Sequence, residues 1–348
     1  MKYNQNSRDK IYDDRYEYED SYSQADDAVD SDTYDSYVKD DGYEYSEFNP
    51  HKKKSGNFFK KIFKMLLCII VGIVLLGFAL SFLLPQKTSF LIMATDKEGT
   101  RTDTLMLAVF DKKMKDISLV SIPRDTYIEV DDDTFSKMNE EYPEPSSKSM
   151  KINAVHHFGG EKYGTEMIVK QVENIIDTDI DFYAKINIEA FKYIVDSVGG
   201  IDFYVPMDME YYDPYQDLNI SLKEGQQHLN GDQAEQVVRF RSGYSNADLG
   251  RVDVQQQFVK AFLSQVISPK TIISSPATFL NVLFKYDYIK TNINILNVIS
   301  YAFLINGINT ENIETDTLPG YATYEHGQSV YKLNPDDTSE LLSHIYER

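Results

Sequence analysis

The sequence is poor in cysteine, and this shortage limits how its fold can be held together. Its 348 residues contain one cysteine, Cys68, which lies inside an apolar run. No intrachain disulfide is therefore possible, which fits a cytosolic protein and equally an exported bacterial protein that avoids disulfides. An apolar content of 42% is enough for a sizeable core, and the length allows one large domain or two ordinary ones.

Positive charge is also scarce. The chain has 35 basic against 55 acidic residues, a formal net charge of −20, and half of that charge lies in residues 1–50. An acidic chain without a local basic stripe repels the phosphate backbone of nucleic acids. The composition therefore predicts no nucleic-acid partner.

Aliphatic residues are few in residues 1–50, which are rich in Asp, Glu, Ser and Tyr. This composition predicts a disordered acidic tail. Nine of the 26 tyrosines lie there, and the pairs Tyr16/Tyr18 and Tyr43/Tyr45 have acidic neighbours. Two interpretations stay open: a merely solvated tail, or a substrate of a cytoplasmic tyrosine kinase, whose phosphates would add charge and a docking point.

One long apolar run, residues 65–84, contains twenty residues without a charge. As a helix it would be about 30 Å long, the thickness of the hydrocarbon core of a bilayer, so it predicts a transmembrane helix. A buried core helix or a cleaved signal peptide fits less well. The basic juxtamembrane segment 51–64 precedes the run, and only Lys87 closely follows it. The positive-inside rule then predicts a single-pass cell-membrane protein with a cytoplasmic N-terminus and an extracellular domain at 88–348.

The extracellular domain alternates strand-like and helix-like patterns. Residues "TLMLAVFD" and "DISLVSIPRD" flank "KKMK", which predicts a hairpin, and residues 131–148 are polar enough to predict a solvated loop or an insertion. Helical spacing predicts helices at 164–176, 187–198, 249–266, around 277–285 and around 294–306. Together these patterns predict an α/β domain of three layers, with a mixed sheet flanked by helices.

Arginine is rare in this domain. The chain has eight arginines against 27 lysines, and the domain before its last residue uses arginine at five positions: Arg101, Arg124, Arg239, Arg241 and Arg251. Because the planar guanidinium grips phosphate in two-point contacts, such selective use predicts an anion site, for which a pyrophosphate is well suited. Arg124 ends a predicted strand, a usual place for functional residues in α/β sheets. The alternative is that single arginines pair with surface carboxylates.

Two further patterns support the anion site. Arg239 and Arg241 are two residues apart, so an extended segment would point both to one side. Arg251 falls in the first turn of a predicted helix, with Asp248 as N-cap and Gln255 one turn further on the same face. The free N–H groups and the dipole at this helix start favour an anion.

Asp96 and Asp103 stand at the end and the start of consecutive predicted strands. If the loop between them folds back, their carboxylates meet, and paired carboxylates beside phosphate are a usual Mg²⁺ site, with Mn²⁺ as an alternative. Ordinary loop aspartates remain the other interpretation. His156 and His157 are adjacent and point apart, so we interpret them as structural residues rather than metal ligands.

Five stretches occur in order within roughly residues 88–268: "RTDTLMLAVFDKKMKDISLVSIPRDTYI", "KINAVHHFGG", "VDSVGGIDFYVP", "DPYQDLNISLKEGQQHLNGDQAEQVVRFR" and "DLGRVDVQQQ". Together they resemble the LytR-CpsA-Psr family of bacterial cell-envelope proteins. The single anchor helix with an inside N-terminus is also similar to that family.

The resemblance implies a phosphotransferase. Such an enzyme moves a glycopolymer, a teichoic acid or a capsular polysaccharide, from a polyprenyl-pyrophosphate carrier to peptidoglycan and forms a phosphodiester. It also implies a hydrophobic groove for the lipid. One alternative is a non-catalytic envelope sensor or transcriptional attenuator that binds lipid-linked precursors. Another is a hydrolase that uses water as the acceptor.

The resemblance also assigns residues. It implies pyrophosphate binding by Arg101, Arg124, Arg239, Arg241, Arg251 and Gln255. It implies that Asp96 and Asp103 bind Mg²⁺. Asp248 matches a candidate general base, and it acts beside the catalytic arginines, which are Arg124, Arg239, Arg241 and Arg251. The chain departs from the family pattern at Lys97-Glu98, where Asp-x-Arg is common after the first strand, and at Val254, where a second arginine is common.

Overall fold

The computed structural model describes residues 56–96, 99–142, 145, 147–215, 218–244, 248–267, 289–305 and 307–348. The expected acidic tail with its tyrosines, Lys97-Glu98 and the helix expected around 277–285 lie outside the described residues. The chain divides into two compact units, Met1–Asn57 and Phe58–Arg348, and the second contains the fold described below.

The described elements alternate between helices and strands. The helices are α1 (Gly56–Leu83), α2 (Asp132–Glu141), α3 (Ile152–Ile176), α4 (Ile188–Ser197), α5 (Gly231–Arg239), α6 (Asp248–Val266), α7 (Ile295–Ile305) and α8 (Pro335–Glu347), with a short 3-10 helix at Thr310–Asn312. The strands are β1 (Lys87–Thr95), β2 (Thr102–Asp111), β3 (Asp116–Ile122), β4 (Tyr127–Glu129), β5 (Ser149–Lys151), β6 (Phe182–Ile186), β7 (Ile201–Val205), β8 (Met209–Asp213), β9 (Leu218–Leu222), β10 (Gly225–Leu229), β11 (Ile289–Thr291), β12 (Glu314–Thr317), β13 (Gly320–Glu325) and β14 (Gln328–Leu333).

Six strands form a central mixed sheet in the order β11-β6-β1-β2-β3-β12. The first three strands of the chain form an antiparallel meander, β6 joins β1 in parallel, and β12 joins β3 in parallel. The hairpin predicted around "KKMK" is confirmed, and its ladder ends at the pair Asp111 and Asp116. The central strand β2 is buried without interruption from Leu105 to Asp111, as expected for a strand covered on both faces.

Helices cover both faces of this sheet. On β2, Leu105, Leu107 and Val109 face a cluster that includes residues of α3 and α8. The alternate residues Met106 and Phe110 face a second cluster that includes residues of α6 and α7. The period of two along the strand therefore explains the mixed α/β arrangement with a central sheet, as predicted.

The long helix α6 packs in two directions. Val259 and Leu263 contact the cluster on the sheet. Val254 and Phe258 instead enter a third cluster, built with the strands β7 and β9 and the helices α4 and α5. Because α6 has two apolar faces, it joins the central sheet to this smaller side region.

Of the two interpretations of residues 131–148, the solvated loop is wrong, because the first part of this segment is the helix α2, and the insertion stays a prediction. The Asp131 carboxylate accepts a hydrogen bond from the Thr134 N–H at 2.7 Å and caps the helix. Thr134 and Met138, one turn apart, are both buried. Two apolar contacts and a cap are therefore enough to make this acidic segment helical.

The helix α1 fits a single-pass membrane anchor. Within the described residues it is the one helix that is long and apolar enough to cross a bilayer, over Phe59–Leu83. Its large side chains are exposed, as a lipid-facing helix requires, with Leu76 50% and Leu83 80% accessible. The helix begins before the run expected at 65–84 and includes the last lysines of the basic segment.

Candidate functional site

Asp103 lies at an irregularity of the central sheet. Ala94 pairs with Thr104 but Thr95 pairs with Thr102, so Asp103 is an extra residue in β2. Such a bulge disrupts the ladder locally and changes the direction of a side chain, and bulges are common beside active sites. The side chain of Asp103 is 36% accessible, in a strand whose following residues are buried.

Two arginines converge on this carboxylate. Arg124, two residues after β3, places Nη1 2.6 Å from Asp103 Oδ1, and Arg241, two residues after α5, places Nη2 4.0 Å from the same oxygen. One carboxylate thus faces two guanidinium groups. Since the two arginine side chains are 21% and 49% accessible, an anion from solvent can reach both.

The expectation that Arg239 and Arg241 share an extended segment is wrong, because α5 continues to Arg239. A capping box between Asn230 and Gln233 starts this helix, and the sequence analysis missed that signal. Arg239 pairs with Glu235 one turn back, at 2.7 Å, and not with Asp103 as Arg241 does. Arg239 therefore lies at the end of a helix, and Arg241 lies in the loop that follows it.

Gln255 of α6 connects the two halves of the site. Its Oε1 accepts a hydrogen bond from Thr104 Oγ1 at 3.2 Å, and its Nε2 donates to the Val238 carbonyl at 2.9 Å. Thr104 is the neighbour of Asp103, and Val238 is the neighbour of Arg239. A single amide therefore fixes β2 relative to the end of α5, the two elements that carry Asp103 and the helical arginine.

Arg251 lies in the first turn of α6 and is 2% accessible. Gly250 beside it packs against the ring of Tyr244, because a Cβ at this glycine would stand 2.6 Å from Tyr244 Cβ. Asp248 is the first residue of the helix, where a cap was expected, and its side chain lies outside what the structure describes. The start of α6 thus carries a buried arginine in its first turn, beside a glycine that lets Tyr244 approach closely.

The loop between β1 and β2 folds back on itself. The Asp96 N–H donates to the Arg101 carbonyl at 3.0 Å. The Asp96 carboxylate accepts hydrogen bonds from the Thr100 N–H at 2.7 Å and the Thr100 hydroxyl at 3.0 Å. Arg101 is exposed at the end of this loop. Asp96 therefore shapes the loop itself, whereas Asp103 faces the arginines.

Asp96 and Asp103 supply two carboxylates at neighbouring strand ends. Among the described residues, no group of three or more His, Cys, Asp or Glu side chains is arranged to hold a metal ion. Mg²⁺ does not need such a group, since one or two carboxylates with water and phosphate oxygens complete its shell. The chemistry of this donor pair therefore fits Mg²⁺ in the presence of a phosphorylated substrate.

A buried pair of a histidine and a lysine contacts the loop between β1 and β2. His156 Nδ1 lies 3.1 Å from the Thr100 carbonyl, so this nitrogen carries the proton, and Nε2 accepts from Lys185 Nζ at 3.0 Å. Burial lowers the pKa of His156, and the Lys185 charge lowers it further. Burial also lowers the pKa of Lys185, although the Glu161 carboxylate opposes this effect. His156 is thus a structural residue, as interpreted.

The sequence analysis missed two lysines near the site. Lys151 Nζ lies 3.1 Å from Asp125 Oδ1, directly beside Arg124. Lys185, 8% accessible, lies in a strand of otherwise uncharged residues. A single charge inside an apolar strand was the signal that could have identified Lys185. The Lys151 contact joins distant parts of the chain, so it had no local signal.

Comparison with known proteins agrees with this architecture. A model of the LytR_cpsA_psr family matches residues 82–345. The chain belongs to the LytR-CpsA-Psr family. This result confirms the resemblance inferred from the sequence motifs, and the match extends through the C-terminal helix α8.

Named members of the family are similar over most of the domain. TagV of Bacillus subtilis (strain 168), named a polyisoprenyl-teichoic acid–peptidoglycan teichoic acid transferase, is 30% identical over 252 residues, or 71% of this chain and 59% of TagV. TagU of Bacillus anthracis, with the same transferase name, is 35% identical over 183 residues, or 52% of this chain and 53% of TagU. The matched segments thus span little more than half of these two curated relatives.

Solved structures share the fold. The crystal structure of B. subtilis TagV aligns with a TM-score of 0.60 and 25% identity, covering 76% of this chain and 98% of TagV. The structure of TagT bound to LIIa-WTA aligns with a TM-score of 0.57 and 22% identity, covering 75% and 90%. The second likeness shows the fold alone, and the ligand belongs to TagT.

Proposed function

We propose that this LytR-CpsA-Psr protein is a phosphotransferase that moves a glycopolymer from a polyprenyl-pyrophosphate carrier to peptidoglycan. The observation that carries the proposal is the convergence of Arg124 and Arg241 on Asp103 at an accessible edge of the sheet. The transferase names of TagV and TagU support teichoic acid as the polymer class, with capsular polysaccharide as the alternative.

The arginines bind the pyrophosphate in this proposal. Arg124 and Arg241 bind its oxygens. Arg251 and the N–H groups of α6 contribute from the start of that helix. Arg239 and Arg101 bind the pyrophosphate from the edge of the site. Gln255 keeps the two sides of the site at a fixed separation. Phosphoryl transfer depends mainly on such positioning and on charge stabilisation, so the protein needs no covalent intermediate.

The reaction is a substitution at phosphorus. A hydroxyl oxygen of a peptidoglycan sugar forms a new P–O bond to the sugar-linked phosphorus of the carrier. The bond from that phosphorus to the bridging oxygen breaks, and polyprenyl phosphate leaves with the bond electrons. The hydroxyl proton passes to Asp248 or to solvent. The product is a phosphodiester between the glycopolymer and peptidoglycan.

Asp96 and Asp103 would hold a divalent cation, Mg²⁺ or Mn²⁺. Such an ion supplies charge neutralisation for the leaving phosphate. The residues of the chain act beside it: Arg124 keeps the Asp103 carboxylate in place, and Thr100 keeps Asp96 in the loop.

The same proposal places the protein in the cell membrane, with α1 as a single-pass anchor and the domain outside the cell. The lysines before the apolar run support a cytoplasmic N-terminus. The tail, residues 1–50, would then be accessible to a cytoplasmic tyrosine kinase. No nucleic acid is needed as a partner.

One assay tests the reaction. Full-length protein in detergent is incubated with a radiolabelled polyprenyl-pyrophosphate glycan, Mg²⁺ and peptidoglycan, and the label is followed. We expect label in peptidoglycan for the wild type. For Arg241→Ala we expect a roughly ten- to hundredfold lower rate, since a charged hydrogen bond contributes about 1.5–3 kcal/mol.

The matched control is Arg348→Ala, which removes an arginine that pairs with Glu314 at 2.9 Å outside the site. Its rate should equal that of the wild type. Label released as free glycan would indicate a hydrolase, and bound but unconverted carrier would indicate the sensor or attenuator. Either result contradicts the transferase.

A further inference from the structure

The turn between β2 and β3, which we call the basic turn, consists of Lys112, Lys113, Met114 and Lys115. It lies at the end of the sheet where the chain leaves α1. Lys87, the first residue of β1, pairs with Asp111, and the Lys112 N–H donates to the Gln86 carbonyl at 2.9 Å. These backbone contacts fix the basic turn beside the link between anchor and domain.

The basic turn also contacts the anchor helix directly. Lys112 Nζ donates to the carbonyls of Phe82 and Leu84, each at 3.1 Å. These carbonyls are at the C-terminal end of α1, where a helix has no internal donors left and a lysine is favourable. Leu83 ends the helix, and three residues can span at most about 10 Å to Gln86. The basic turn must therefore lie at the level where the anchor leaves the bilayer.

The exposed groups of the basic turn suit an anionic membrane surface. Lys113, Met114 and Lys115 are exposed, and Met114 is 56% accessible. Within the described residues none of the three lysines of the turn pairs with a carboxylate, and Asp111 is occupied by Lys87 at 2.5 Å. Two ammonium groups, those of Lys113 and Lys115, and one apolar side chain thus face outward, in a chain whose formal net charge is −20.

We propose that the basic turn docks on anionic phospholipid headgroups as a second membrane contact beside the anchor. Lysines near such a surface are attracted to the headgroup phosphates, and Met114 enters the interfacial layer. The proposal rests on α1 being the membrane anchor, but not on the transfer reaction.

The candidate site lies far from the basic turn. The two aspartates of β2, Asp103 and Asp111, are eight residues apart, or about 27 Å along the strand. The basic turn and the site therefore lie at opposite ends of β2.

The absence of tryptophan from the chain provides a direct test. Met114→Trp introduces a single fluorescent reporter into full-length protein, which is reconstituted in phosphatidylglycerol/phosphatidylcholine vesicles with or without brominated acyl chains. We expect a blue-shifted emission that brominated lipid quenches. The matched control is Tyr324→Trp, at a residue 77% accessible in β13, which follows β12 away from the basic turn. Its emission should stay unshifted and unquenched.

Charge is tested in the same reporter protein. Lys113→Gln and Lys115→Gln leave the contact of Lys112 with α1 in place, and each should weaken docking by about fivefold, seen as reduced quenching. Equal quenching in purely zwitterionic vesicles would contradict a headgroup contact based on charge. A shift caused by soluble polyglycerol phosphate in neutral micelles, without one in anionic vesicles, would assign the turn to the polymer and overturn the proposal.

Failure of the anchor and failure of the docking are distinguishable. Protein that floats with vesicles but shows an unquenched reporter at position 114 overturns the docking alone. Protein that does not float with vesicles overturns the anchor and the docking together. Transfer activity is measured separately, so quenching without transfer leaves the docking supported and refutes only the enzymatic proposal.

Discussion

The strand β2 carries an aspartate at each end, and their surroundings differ. Asp111 is 3% accessible and accepts from Lys87, from Gln86 at 2.8 Å and from two N–H groups of the turn. Asp103, with its side chain 36% accessible, faces Arg124 and Arg241. The first carboxylate is held by the strand end and the turn around it, whereas the second faces two guanidinium groups at an accessible edge.

The pKa of Asp111 shows how complete its bonding is. Burial raises this pKa, but the hydrogen bond from Lys87 and those from the turn N–H groups lower it more, so the pKa is lowered overall. An aspartate of this kind stabilises the fold in its charged form. The comparison teaches that the accessible carboxylate, which two arginines face, is the one suited to a substrate.

The largest expected effect is on activity, and it distinguishes the Asp103 end of β2 from the Asp111 end. Arg124→Ala removes the cation 2.6 Å from Asp103 and should lower the transfer rate by roughly a hundredfold, with a melting temperature close to that of the wild type. The rate is measured in the peptidoglycan-labelling assay and the melting temperature by circular dichroism. A variant that unfolds, or that transfers at the wild-type rate, would show that Arg124 has another role.

The second prediction compares the two ends of β2 by their contribution to the free energy of unfolding. Asp111→Asn should lower the free energy of unfolding by about 2–3 kcal/mol, because Lys87, whose side chain is 13% accessible, loses its charged partner. Asp103→Asn should change that free energy by less than about 1 kcal/mol, because its pair is partly exposed, while it reduces transfer. Urea denaturation of both variants measures the difference. Equal destabilisation by the two would remove the distinction.

A smaller effect is expected at the amide that joins the two sides of the site. Gln255→Leu removes its hydrogen bonds to Thr104 and Val238 and should cost about 1 kcal/mol of stability and about tenfold in rate. Gln265→Leu is the control on the same helix, since Gln265 bonds to Gly200 and Asp202. It should lose stability but keep the wild-type rate. A similar loss of rate in both variants would point to α6 as a whole.

The smallest expected effect is on pH dependence. The pKa of His156 is lowered in the folded chain, so the unfolded chain binds its proton first as pH falls. Stability from the neutral ring is therefore present above about pH 6.5 and decreases as the pH falls below that value. His156→Gln can donate to Thr100 and accept from Lys185 without titrating. The melting temperature of this variant should depend less on pH between about 5 and 7 than that of the wild type, and an unchanged dependence would exclude His156.

The sheet was easier to predict than the site. The apolar runs in "TLMLAVFD" and "DISLVSI" are local, so they predicted the hairpin correctly, and the spacing from Leu249 to Val266 predicted α6. The polar segment after Asp131 misled the sequence reading, because a cap and two buried residues outweigh its acidic composition. The capping box at Asn230 is visible in the sequence, and it would have predicted the helix that ends at Arg239.

The site depends on contacts between distant parts of the chain. Residue types predicted that Arg124, Arg241 and Asp103 have a function, but no spacing rule predicts that the first two meet at the third. The bulge that gives Asp103 its position is a property of two paired strands, not of one. The hydrogen bond between Thr104 and Gln255 likewise joins residues that are far apart in the sequence. Folding, more than local pattern, therefore makes this site.

The central claim is that Arg124 and Arg241 bind a diphosphate. The most direct test is calorimetric titration of full-length protein with short-chain polyprenyl pyrophosphate and with the matching monophosphate, each in the presence of Mg²⁺. The account predicts that the wild type prefers the diphosphate and that Arg241→Ala loses roughly tenfold or more of the diphosphate affinity while its monophosphate affinity changes little. Equal affinity of wild type and variant for the diphosphate would contradict it.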